Sequence, residues 1–176
     1  MIALKFLQPG RRGRFSDAQW PMPTDKVPGA WVEAEGPLEL CANGIHACSP
    51  RQLAYWLDQE LWRVELDGEL DTGPTLLLAR RGRLLERVDG WPRAAEAFAA
   101  DCAERTAELV ATRPGDSRLT ELAEDAAWHA ERAAEPRQAV LAAYTAAVAA
   151  DADRPGGFDE ERARQSESLA QRLGLT

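Results

Sequence analysis

The sequence predicts an α+β protein. Residues 1–90 should form a small, aromatic-rich, mostly antiparallel β unit with one short helix, and residues 91–176 a four-helix, alanine-rich bundle packed on it. Three observations lead there. Five of the six tryptophans, Trp20, Trp31, Trp56, Trp62 and Trp91, fall in the first 91 residues, with most of the glycines and prolines. Apolar and polar residues alternate along that half, as strands require. Beyond Trp91 the chain becomes alanine-rich and its apolar residues recur at helical spacing. With 176 residues and 45% hydrophobic content the chain can bury a core, and one cooperative globule is expected.

The elements follow in order. "IALKFL" is a strand stopped by Pro9-Gly10. The irregular stretch "PGRRGRFSDAQWPMPTDKVPGA" exceeds ordinary loop length, so it is functional or held by its aromatics. "AWVEA" is a second strand. Ser49-Pro50 opens a helix, "PRQLAYWLD", with Leu53, Trp56 and Leu57 on one face. "LWRVELDGEL" is a strand with Leu61, Arg63, Glu65 and Asp67 on one side and Trp62, Val64 and Leu66 on the other. Asp67-Gly68 signals a turn, from which "TLLLAR" returns antiparallel. "RLLERV" fits strand and helix equally.

Four helices complete the chain. The first runs from Pro92 to about Thr112 with Phe98, Cys102 and Leu109 in a stripe. The second is capped by Ser117 and runs to about Ala134, with Leu119, Leu122, Ala126 and Ala130 inward. Pro136 opens the third, whose apolar face is Val140, Leu141, Tyr144, Ala147 and Val148. Pro155-Gly156-Gly157 separates it from the fourth, which carries Phe158, Leu169 and Leu173 inward and stops at Gly174. Inward alanines let helices approach closely.

Charge and cysteine content narrow the function. The formal net charge of -8 disfavours extended nucleic acid and membrane surfaces, both polyanionic. Residues 1–90 hold 11 basic and 13 acidic groups, and residues 91–176 hold 10 and 16. The start, "MIALKFLQPGRRGRF", is too short in its apolar run for a signal peptide, and no window reaches the length of a membrane span. Three cysteines cannot all pair within one chain. A cytoplasmic protein with reduced thiols is expected.

The decapeptide "CANGIHACSP" concentrates the chemistry, holding Cys41, His46 and Cys48. Zinc prefers four Cys, His or carboxylate ligands, and these three offer a partial set with spacing C-x4-H-x-C. His46 and Cys48 share a face of an extended chain, and Cys48 precedes a helix start, an arrangement that suits a catalytic thiolate. A bridge between Cys41 and Cys48 is a further option, and buried cysteines beside a turn histidine the plainest.

"RRGR" occurs twice, as Arg11, Arg12 and Arg14 and as Arg80, Arg81 and Arg83, each after a strand. Neighbouring strands would let the two clusters converge on a phosphate or carboxylate, whereas solvated arginines are the simpler reading. Phe15 and Trp20 stand beside the first cluster, ready to stack on a flat group. Glu65 lies on a polar strand face, and His129 sits near a helix end with ordinary hydrogen bonds expected.

The pattern "W…PLELCANGIHACSPRQLAYWLDQELWRVELDG" resembles a domain of unknown function of actinobacterial and phage-borne proteins, over about residues 1–90. The tail "DEERARQSESLAQRLGL" is similar to uncharacterised bacterial proteins labelled as immunity proteins. Neither resemblance implies a defined reaction. "GIHACSPRQLAYWL" followed by "WRVELDGEL" is also similar in order to ADP-ribosyltransferase-like folds. That similarity implies an enzyme acting on a nucleotide-like anion, with His46 and Glu65 or Glu69 in the catalytic positions.

The leading expectation is a non-catalytic binding or regulatory protein with no cofactor. Its loop at 10–35 would present Phe15, Trp20, Trp31 and the arginines to another protein or a small anionic ligand. The rivals are the nucleotide-directed enzyme, using His46, Glu65 and Cys48, and a metal site at Cys41, His46 and Cys48.

Overall fold

The computed structural model describes residues 1–16 and 18–175 of an α+β protein, and Asp17 of the long loop lies outside the described residues. The chain divides into two compact units, Met1–Asp89 and Gly90–Thr176, each taken here by itself.

The first unit is a single antiparallel sheet. Its strands are β1 (Ile2–Leu7), β2 (Val32–Glu33), β3 (Ile45–Ala47), β4 (Glu60–Thr72) and β5 (Leu77–Arg87), with a 3-10 helix at Pro50–Tyr55. β4 lies between β1 and β5, and the far edge of β5 takes β2 and β3 one after the other. The sheet then closes on itself, because Leu4 of β1 and Cys48, just past β3, exchange backbone hydrogen bonds of 2.9 and 2.8 Å. Both edges are thereby engaged, which removes much of the exposed strand edge a small sheet would otherwise carry.

Side-chain alternation places Ala3, Leu7, Trp62, Val64, Leu66, Ile45, Ala47, Ala79 and Leu84 in one buried cluster, with Trp20 folded into it. "RLLERV" resolves as strand through Arg87, paired along β4. Asp67-Gly68 is not the hairpin turn. β4 runs on to Thr72, and its register against β5 shifts between Asp67 and Leu70. Gly68 takes φ 79° there, and a Cβ on it would meet that of Arg80 at 2.8 Å. The chain reverses five residues later, where the Gly73 N–H donates to the Leu76 carbonyl. "AWVEA" contributes only the two-residue β2. Ser49 and Gln52 form a reciprocal capping box at the start of the short helix, with Pro50 following.

The second unit holds α1 (Gly90–Thr112), α2 (Ser117–Ala130), α3 (Pro136–Asp153) and α4 (Gly157–Leu173). α1 buries Trp91, Ala95, Phe98, Ala99, Cys102 and Thr106, a stripe at helical spacing. α2 is capped by Asp116, whose carboxylate accepts from the Leu119 N–H, and not by Ser117. It ends at Ala130, short of the expected Ala134. The buried side of α3 differs from expectation: Ala139, Ala142, Ala143, Ala146, Ala147 and Ala149 face inward, while Leu141 and Tyr144 are exposed. Close helix approach selects the small side chains over the large ones. α4 stops at Gly174 in the left-handed conformation. Among the described residues, no helix is long and apolar enough to cross a membrane.

Candidate functional site

The site grows from one polar residue in an apolar strand. Within "IALKFL", Ala3, Lys5 and Leu7 share a face, and Ala3 and Leu7 are buried in the sheet cluster. Lys5 is thus drawn inward with them. Its ammonium lies 4.9 Å from the centre of the Trp20 ring. It also donates to the His46 carbonyl. Cys48 turns its own N–H and C=O toward β1, so the His46 carbonyl, two residues earlier, lies on the same edge of β3. Burial lowers the Lys5 pKa to about 8, against a smaller opposing effect from Cys48.

Lys5 lines a cavity of about 410 Å³ within the β unit. Phe6, Phe15, Trp20 and Trp56 supply aromatic wall, and Arg14, Cys41, His46 and Asp58 the polar part. The long loop builds over a third of its lining. Its backbone is tied by Gly13 N–H to the Ala18 carbonyl and Trp20 N–H to the Arg11 carbonyl, both 2.9 Å. Arg11 reaches back to the Trp20 carbonyl through Nε at 3.0 Å. Trp56 is fixed by its indole N–H, which donates to the Thr75 carbonyl at 2.6 Å, and it stacks on His46 with centroids 6.1 Å apart. Phe15 meets Trp56 edge-on at 6.4 Å and is 84% exposed, so it forms the rim. Arg14 faces Asp58 at 3.5 Å.

Comparison with protein-family profiles, with curated proteins and with solved structures finds no match. The reading of this cavity therefore rests on its own chemistry.

The decapeptide ends in a clasp, the backbone pairing of Cys48 with Leu4. Cys48 is fully buried, its thiol donates toward the Leu4 carbonyl at 3.4 Å, and burial pushes its pKa up to about 12. Burial thus favours the protonated thiol, against the thiolate that a nucleophile needs. The His46 ring is engaged by backbone. Its Nε2 accepts the Cys41 N–H at 3.2 Å, and its ring also bonds to the Gly44 backbone. Burial, and then the charge of Lys5, lower its pKa further from 6.5. Cys41 takes φ 64° in the preceding turn and is exposed, while Cys48 is in the core. Both are free thiols, and no group of three His, Cys, Asp or Glu among the described residues can hold a metal ion. Cys41, His46 and Cys48 are thus not gathered into one cluster.

The two arginine clusters have separate places. Arg14, Phe15 and Trp20 line the cavity, and none of Arg80, Arg81 or Arg83 does. The second cluster instead pairs across the sheet with the acids of β4: Arg83 with Glu65 at 2.7 Å, Arg80 with Glu69 at 2.9 Å, and Arg81 with Asp67. Trp31 lies under Arg81 and Arg83 at 4.7 and 4.5 Å. This corrects the convergent anion clamp. Glu65 and Glu69 are held in those pairs and are outside the cavity wall, so they are not set against His46. Trp20, expected on the surface, is 5% exposed and faces the cavity from the core. Arg12 is exposed, its backbone bridged to Gln8 and Gln19. His129 pairs through Nδ1 with Gln138 at 2.7 Å, an ordinary structural bond.

Lys5, Trp56 and Asp58 are the site residues that motif reading passes over. The available signal was a lysine at the centre of an apolar strand with apolar residues at both i±2 positions. A smaller cavity of about 240 Å³ lies in the helical unit. Its charges are matched internally, Glu161 with Arg105 at 2.7 Å and with Arg164 at 3.1 Å, and Glu160 with Arg154. Such a set pairs its charges around the buried Glu161 and has little charge left for a ligand.

Proposed function

We propose that the β unit is a non-catalytic binding module for a small ligand with a flat apolar body and one anionic or carbonyl group. The observation that carries this reading is the Lys5 ammonium, set in the wall of an aromatic cavity of about 410 Å³. That volume is in the usual range for small-molecule sites, as is a mostly apolar wall with few polar groups. Trp20 and Trp56 would sandwich or edge the flat body, Lys5 would meet the polar group, and Phe15 would cover it. The three free thiols support a reducing, cytoplasmic setting for this role.

Titration with benzoate, followed by tryptophan fluorescence, tests the reading. Trp20 and Trp56 in the wall should report a bound ring with a saturable change. Lys5→Met should weaken binding by at least about tenfold, the loss of a charge-assisted hydrogen bond. Arg81→Ala, outside the cavity, should leave it unchanged. A flat titration to millimolar benzoate and indole-3-carboxylate would remove the proposal.

A further inference from the structure

Lys5 differs from Lys26, the chain's other lysine, in every respect that governs amine chemistry. Lys26 is exposed on the long loop. Lys5 ends over the Trp20 ring in the cavity wall, with the His46 carbonyl as a fixed acceptor. Burial reduces hydration of the ammonium and favours the neutral amine, so the proton leaves more readily than from a solvated lysine. A neutral amine facing an apolar cavity, beside a carbonyl that orients its remaining hydrogen, has its lone pair available to whatever occupies that space.

We propose that the Lys5 amine captures a small aldehyde or ketone covalently, forming an imine within the aromatic cavity. This rests on the cavity being a ligand site, as read above, and specifies the ligand class as a flat carbonyl compound. The steps balance without any redox partner. The lone pair of Lys5 Nζ attacks the carbonyl carbon, a C–N bond forms, and the carbonyl π electrons move to oxygen. One proton passes from nitrogen to that oxygen, giving a carbinolamine. The hydroxyl takes a second proton from solvent and leaves as water while the nitrogen lone pair forms the C=N bond. The iminium then returns a proton to solvent or keeps it. Amine plus carbonyl yields imine plus one water. Asp58 is the carboxyl group in the same wall, and Arg14 lies beside it at 3.5 Å.

The test uses the full chain at pH 8 with benzaldehyde and cyanoborohydride, which reduces an imine to a stable secondary amine. Peptide mass mapping then locates the added benzyl group. Lys5 is expected to be labelled at least about tenfold faster than Lys26, since the cavity holds the aldehyde against the Lys5 amine while Lys26 meets it only from solution. Excess benzoate, which can fill the cavity but cannot condense, should suppress labelling of Lys5 and leave Lys26 unaffected. Lys5→Arg, which keeps the cation, should lose the fast label. Equal labelling of the two lysines in folded wild-type protein overturns the proposal, and so does fast labelling that benzoate does not slow. If benzoate saturates the fluorescence change while Lys5 stays unlabelled, the binding module stands and covalent capture alone falls. If neither occurs, both readings fall together.

Discussion

Lys5 carries a thermodynamic signature of its burial. In water its pKa is 10.5, and in the folded protein it is about 8. Between those values the unfolded chain binds the proton and the folded chain does not. Unfolding therefore takes up a proton across that window, and stability rises with pH from about 8 to about 10.5. Below pH 8 both states are protonated, and the cost of burying the charge is present in full. The urea midpoint of wild type, measured across this range relative to Lys5→Met, should climb with pH, and the variant should lack that climb. A constant difference between the two proteins would mean the amine is solvated. At the same scale, Cys48 shows why its identity misleads. A cysteine before a helix start suggests a reactive thiol, but here both its backbone groups close the sheet and its sulfur fills core.

At the scale of elements, close approach decides what is tolerated. The first residue of α4, Gly157, lies against the last turns of α3, and a Cβ on it would sit 2.0 Å from the Ala150 carbonyl oxygen. Backbone cannot yield as a flexible side chain can. Gly157→Ala should destabilise the helical unit by about 1–3 kcal/mol, the usual cost of overpacking, as read from the loss of helical ellipticity in urea. An unchanged midpoint would mean the two helices can move apart freely. The bulge at Gly68 works differently. It lets β4 continue six residues past the Leu66–Gly82 pairing, so that Leu70, Asp71 and Thr72 pair with Ala79, Leu78 and Leu77 before the chain reverses. The same pairing of β4 and β5 sets Glu65 opposite Arg83 and Asp67 opposite Arg81, which neutralises the second arginine cluster along the strand.

For the whole molecule, the two units differ in how they hold their backbone. The connection between β5 and α1 is two residues long, and its Val88 N–H donates to the Leu61 carbonyl at 2.8 Å. The segment between β1 and β3 contains only the two-residue β2, and Lys26 in it is exposed. Brief digestion with trypsin should therefore cut first after Lys26 or Arg14, with the 87–90 connection surviving longer. Mass spectrometry of early fragments settles the order. First release of a fragment beginning at Val88 would show that connection to be the looser one.

The sequence by itself determined the class of each element wherever a period was long and uninterrupted. The strand faces of "LWRVELDGEL", the helix openings at Pro50 and Pro136, and the stop at Gly174 all follow from alternation, ring geometry or left-handed glycine. It also marked "CANGIHACSP" as unusual. What that stretch does was decided only by tertiary structure. The Leu4–Cys48 clasp joins residues 44 positions apart, and nothing in the local pattern names its partner. The inward turn of Lys5, the seating of Trp20 in the core, and the separation of the two arginine clusters depend on that closure and on the register of β4 against β5. Local sequence sets which face a side chain occupies. Which faces are enclosed together depends on pairings between distant strands.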